Sequence, residues 1–187
     1  MSTRQRTYGE SALLTPANLL TAFRLLVTPI FIWLIVVRGP SWWTTLVGGV
    51  AAASDYFDGI VARRQGTTTS GAFLDPLVDK IVVLGSLYTL VSVTHYRMSI
   101  WPVLIITVRE VWMTWYRARA SRVGLSIPAR SLPKIKTLVQ DFAIALCVLP
   151  PTSHLYWLQS VTLWVAVALT LYTGWQYYDD GKRAALA

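Results

Sequence analysis

Apolar residues run along this chain in blocks rather than in alternation, and each block is about as long as a helix needs to be to cross a hydrocarbon core of about 30 Å. Six blocks stand out, at residues 17–37, 42–62, 74–94, 99–116, 135–149 and 155–177. The polar interruptions hold helix breakers or charge: Gly39 and Pro40 in the first link, Pro150 and Pro151 in the last, arginines in those between. The pattern predicts an all-α integral membrane protein with six transmembrane helices, forming one domain over residues 1–187. Tryptophans and tyrosines near the block ends, such as Trp42, Trp43, Trp101 and Tyr156, suit anchoring at the membrane interface. The first block is full length, unlike the short core of a cleavable signal, and is expected to be retained.

Composition strengthens this picture, since 54% of the residues are hydrophobic and only 14% charged. No length remains for a soluble domain. The single cysteine, Cys147, lies in an apolar run and reads as a packing residue.

The net charge of +8 matters less than its placement. Arg4 and Arg6 precede the first block, Arg63 and Arg64 close the second, and Arg117, Arg119, Arg122, Arg130, Lys134 and Lys136 cluster around the link between the fourth and fifth. Lys182 and Arg183 close the tail, whereas the opposite links hold only Arg38 and Arg97. By the positive-inside rule the arginine-rich ends face the cytoplasm, in the cell membrane. Anionic lipid head groups account for the basic ends, and no nucleic-acid partner is called for.

Against that background one stretch is conspicuous. "SDYFDGIVARRQGTTTSGAFLDPLVDK", residues 54–80, holds four of the chain's nine acidic residues. Asp55 and Asp58 lie one helical turn apart, Asp75 and Asp79 repeat the arrangement on the next helix, and the short link between makes the two helices antiparallel neighbours. Four carboxylates converging at a membrane edge repel one another and lose hydration, unless hard cations bind them. An oxygen-only ligand set suits Mg²⁺, Mn²⁺ or Ca²⁺ rather than zinc. Structural pairing with Arg63, Arg64 and Lys80 is the alternative. Gly59 sits inside a helix at some expense of stability, and with Ala62 leaves a smooth face beside the carboxylates.

The arrangement D-x-x-D-G-x-x-A-R … G-x-x-x-D-x-x-x-D, supplied here by Asp55, Asp58, Gly59, Ala62, Arg63, Gly71, Asp75 and Asp79, resembles the signature of the CDP-alcohol phosphotransferases. The link between Arg63 and Gly71 is one residue shorter than the commonest form. The resemblance implies six transmembrane helices around a cytoplasm-facing polar cavity, commonly in a homodimer. It implies transfer of a phosphatidyl group from CDP-diacylglycerol to an alcohol with release of CMP. It further implies metal binding by Asp55, Asp58, Asp75 and Asp79, with Asp79 also the general base. Asp58, Gly59, Ala62, Arg63 and Gly71 are implied to hold the CDP-lipid.

Outside the signature, "LTPANLLTAFRLL", "SGAFLDPLVDK", "REVWMTWYR" and "IPARSLPKIKTLVQ" are similar to the bacterial phosphatidylglycerophosphate synthases within that family, with Pro133 standing where glycine is usual. That branch implies sn-glycerol 3-phosphate as acceptor. An anionic acceptor needs cations, and Arg109, Arg117, Lys134 and Lys136 are the candidates for its phosphate. Arg109 lies well inside the fourth block, where an unpaired charge is costly, so it is expected to face the cavity or to pair with Glu110 or an aspartate. Asn18, Thr21 and Arg24 form a polar set that either lines the nucleotide side or joins helices. Asp141 is expected to pair with a basic residue of the fourth or fifth block. The alternatives are a family member with another acceptor, such as a phosphatidylinositol phosphate or cardiolipin synthase, or a divalent-cation transporter. The transporter reading lacks a carboxylate ladder across the membrane and an inverted repeat.

Overall fold

The computed structural model describes residues 16–65, 69–93, 96–122 and 132–186, with side chains placed at 19–55, 57, 76–93, 96–120 and 135–182. Among the described residues there are six α-helices and no strand: α1 Pro16–Val37, α2 Trp42–Gln65, α3 Thr69–Ser92, α4 Ile100–Arg122, α5 Leu132–Val148 and α6 Tyr156–Leu186. Each apolar block has become one helix. The ends of α4 and α6 run past the expected residues 116 and 177, because Arg, Lys and Ala stop an apolar block without stopping a helix.

The links are built from the breakers. Gly39 adopts φ of +61°, a left-handed turn that a side chain would strain. Ser41 then caps α2, its hydroxyl accepting the backbone N–H of Thr44 at 3.2 Å. In the last link Gln159, buried, shares its amide N–H groups among the carbonyls of Leu146, Thr152 and Ser153.

Short links between long helices make successive helices antiparallel, so one end of the bundle collects the starts of α1, α3 and α5 and the ends of α2, α4 and α6. α1 packs on α2 and α3, α5 and α4 pack on α6, and α3 meets α4 and α5 while α2 meets α5. The apolar core, with Ile35, Leu87, Leu90, Tyr96, Val103, Ile106, Cys147 and Leu163, fills the other half of the bundle. One half is therefore sealed by apolar packing, and the charged groups gather in the half that remains.

The outer surface is apolar. On α1, Leu19, Phe23, Leu26, Ile30, Trp33 and Val37 recur every three or four residues and are all exposed, whereas Thr21, Arg24 and Thr28 on the opposite face are buried. Trp42, Trp43, Trp101 and Trp157, all exposed, ring the sealed end. Among the described residues one helix, Leu19–Val37, is long and apolar enough by composition to cross a membrane. The other helices dilute their apolar length with charges, amides and aromatic hydroxyls.

Small residues bring α1 and α2 together. A Cβ built on Gly48 would lie 2.7 Å from the Phe31 ring, whereas one on Gly49 would meet nothing within 4 Å. Gly48→Ala is expected to destabilise the bundle by about 1–3 kcal/mol through overpacking. Gly49→Ala is expected to be neutral or to stabilise by up to about 1 kcal/mol through helix propensity. Thermal midpoints of the two variants in one detergent check the contrast, and equal midpoints would contradict it.

Candidate active site

The signature aspartates enter from α2 and α3. Asp55, about ten residues before the end of α2, is half-exposed, and Asp79, about ten residues into α3, is partly buried. Arg24 crosses from α1 and donates from Nη1 to Asp55 Oδ1, with its own side chain almost wholly buried. Arg24, read from sequence as a nucleotide-side or helix-joining residue, thus has its guanidinium on a carboxylate of the cluster. Asp79 lies close enough to Asp55, Arg24, Lys136 and Glu110 for their charges to act on one another. Asp141 of α5 joins the same set, with Lys136 and Arg24 as its basic neighbours and Asp55 and Asp79 as its acidic ones.

Five helices thereby contribute charge to one region. The side chains of Asn18, Asp58, Gly59, Ala62, Arg63, Gly71, Asp75 and Lys134 lie outside the described residues, although all belong to the helix ends that border this region. Among the described residues no three His, Cys, Asp or Glu side chains form a group that could hold a metal. The donors that are described nevertheless fit a hard cation. They are carboxylate oxygens from α2 and α3, both of which pack on α1, and one of them already neutralises a buried guanidinium.

The candidate acceptor-phosphate cations form a second layer. Glu110 Oε1 accepts from Arg109 Nη1 at 2.9 Å and from Lys136 Nζ at 2.5 Å, and all three side chains are about nine-tenths buried. Arg109 spends a further donor on Thr173 Oγ1 of α6 at 2.8 Å and packs against the bare backbone of Gly174. Of the pairings open to Arg109 from the sequence, the one with Glu110 is present. Its guanidinium lies between α4 and α6, and its side chain also lines an apolar groove of about 430 Å³ with Trp101, Trp112 and Trp175. Lys136 bonds to this pair through Glu110 and is close enough to Asp79 for its charge to act there. Arg117 is exposed, with its guanidinium 4.9 Å from the centre of the Tyr177 ring.

Two participants were not singled out for the acceptor side by sequence. Glu110 carries the signal of an intramembrane carboxylate and was read only as one of several partners for Arg109. Lys80 donates to Thr114 Oγ1 at 2.6 Å, bracing α3 against α4.

A family model described as CDP-alcohol phosphatidyltransferase matches residues 14–172. A Mycobacterium tuberculosis protein named "Probable phosphatidylglycerophosphate synthase" is 33% identical over 184 residues, covering 94% of this chain and 85% of that protein. Proteins named "CDP-diacylglycerol--glycerol-3-phosphate 3-phosphatidyltransferase" are similarly close. The one from Rickettsia bellii is 31% identical, covering 89% of this chain and 94% of its own. The one from Bacillus subtilis is 32% identical, covering 89% and 95%.

Proposed function

The chain belongs to the CDP-alcohol phosphatidyltransferase family, and we propose that it transfers the phosphatidyl group of CDP-diacylglycerol to sn-glycerol 3-phosphate. The products are phosphatidylglycerophosphate and CMP, in phospholipid biosynthesis. The observation that carries the reading is the gathering of carboxylates and cations in one half of the bundle. Asp55 of α2 and Asp79 of α3 supply the carboxylates, and Lys136 of α5 with Lys80 of α3 the cations close enough to act on Asp79 or be acted on by it. The acceptor is supported by the names of relatives that match nearly the whole chain.

Asp55, Asp58, Asp75 and Asp79 would hold one or two Mg²⁺ or Mn²⁺ ions, which supply charge to offset the diphosphate and polarise the attacked phosphorus. Asp58, Gly59, Ala62, Arg63 and Gly71 hold the cytidine end of the donor. Lys134, Lys136 and Arg117 attract the acceptor's phosphate, and Arg109 holds the Glu110 carboxylate that seats Lys136. Asp79 accepts the proton of the acceptor hydroxyl as its oxygen bonds to the phosphatidyl phosphorus. The bond from that phosphorus to the CMP oxygen breaks, and CMP leaves with the electron pair.

The exposed apolar belt supports six membrane-spanning helices, and the basic ends support a site open to the cytoplasm. The bilayer then delivers the donor, and the aqueous side the acceptor. A homodimer is part of the proposal through the family resemblance.

The test is CMP release by the purified protein with CDP-diacylglycerol and Mg²⁺, offering glycerol 3-phosphate or inositol 1-phosphate separately. Release with glycerol 3-phosphate alone, abolished by EDTA and restored by Mg²⁺, is the expected result. Release with inositol phosphate alone overturns the acceptor. No release with either, from folded protein that Mn²⁺ does not rescue, overturns the reaction.

A further inference from the structure

Glu110, Thr114 and Arg117 occupy positions i, i+4 and i+7 of α4 and so share one face. Lys136 of α5 bonds to the first of these through Glu110 Oε1, and Lys80 of α3 bonds to the second through Thr114 Oγ1. Three cations from three helices, Lys136, Lys80 and Arg117, are therefore set in a row by α4 residues that follow one another at about one 5.4 Å helical turn. They are close enough for Lys80 to feel both of the others, and Glu110 and Asp79 as well.

The seat of Lys80 is specific. The Thr114 hydroxyl donates its proton to the Glu110 carbonyl at 2.7 Å, which leaves its oxygen to accept from the ammonium. A lysine ammonium has three donors, and Thr114 takes one. Among the described residues the row has one carboxylate in hydrogen-bond contact, Glu110, and Arg109 shares it with Lys136. Among the described residues the middle of the row thus presents positive charge with no carboxylate in hydrogen-bond contact, next to the proposed base Asp79.

We infer that Lys80 is a binding residue for the phosphate of the acceptor, the central one of three cations along α4, and a determinant of selectivity for phosphorylated over plain alcohols. This rests on the reading of the reaction given above. A phosphate monoester carries close to two negative charges and three acceptor oxygens, which matches a row of spaced cations better than a single arginine. Because Lys80 follows Asp79 on the same helix, a phosphate held there keeps the acceptor's hydroxyl end within the neighbourhood of the base. Sequence reading counted Lys80 only as a possible structural partner of the aspartates.

The experiment compares the parent protein with Lys80→Met, which keeps the stem and removes the charge, and Lys80→Arg, which keeps the charge. Lys80→Met is expected to raise KM for glycerol 3-phosphate by about 10- to 100-fold, the range for loss of a charge-assisted hydrogen bond, with KM for CDP-diacylglycerol unchanged. Lys80→Arg is expected to recover most of that loss. An unmoved acceptor KM in Lys80→Met, or equal changes in both KM values and kcat, overturns the assignment. Should Lys80→Met fail to fold, Lys80→Gln takes its place with the same outcomes. If the parent itself releases no CMP with glycerol 3-phosphate, the reaction reading has failed separately. Binding of inorganic phosphate to parent and Lys80→Met in detergent then decides: weaker binding by the variant sustains the site, and equal binding ends it.

Discussion

Asp79→Asn lowers CMP release by about 10²- to 10⁴-fold, the range that loss of a positioned general base brings. Asparagine keeps the volume and one acceptor oxygen of the side chain but cannot take a proton at neutral pH. Asp79 is partly buried on α3, and the described groups that act on it, Asp55, Arg24, Lys136 and Glu110, include no imidazole to replace it. The substitution also removes a proposed metal ligand, and the two roles separate by titration. A ligand defect is relieved by raising Mg²⁺, whereas a base defect persists at saturating metal. KM for CDP-diacylglycerol is expected to move little, because the remaining aspartates and the glycine face of α2 hold the donor. Undiminished turnover in the variant would remove Asp79 as the base, and full recovery at high Mg²⁺ would leave it as a ligand alone.

The helices and the acidic cluster were legible in the sequence for one physical reason. In a chain this apolar, a charge or a helix breaker inside a block is conspicuous, so Asp55 and Asp79 announce themselves and Gly39 and Pro40 end α1 where they fall. Helix ends were less legible. Arg119, Arg122, Lys182 and Arg183 end an apolar block while remaining good helix formers, and α4 and α6 run on through them. Contacts across helices were least legible, because they depend on how each helix is rotated. The sequence offered Arg109 either the cavity or a pairing, and only packing against Gly174 and Thr173 of α6 determines that its guanidinium turns to Glu110. Lys80 could not be distinguished from a structural counter-ion until Thr114 was placed opposite it. Arg24 reached Asp55 from a helix whose sequence motif said only that it was polar.

The larger structural effect is expected at Glu110. Glu110→Leu leaves Arg109 and Lys136 as neighbouring buried cations with their shared anion gone, a change that typically costs about 3–5 kcal/mol. At roughly 2–4 °C per kcal/mol for a chain of this size, the thermal midpoint in detergent is expected to fall by about 6–20 °C. Adding Lys136→Met to that background removes one of the stranded charges and is expected to recover part of the loss. A Glu110→Leu protein that melts with the parent would show that the carboxylate carries no structural load. The triple variant Arg109→Met, Glu110→Leu, Lys136→Met separates stability from function. Replacing a whole buried ion cluster with apolar side chains is often neutral or stabilising. If the triple variant melts near the parent yet fails to use glycerol 3-phosphate, the cluster's energetic expense is explained by its task. Glu110 then serves to hold Lys136 in place beside Asp79 until the acceptor's phosphate arrives.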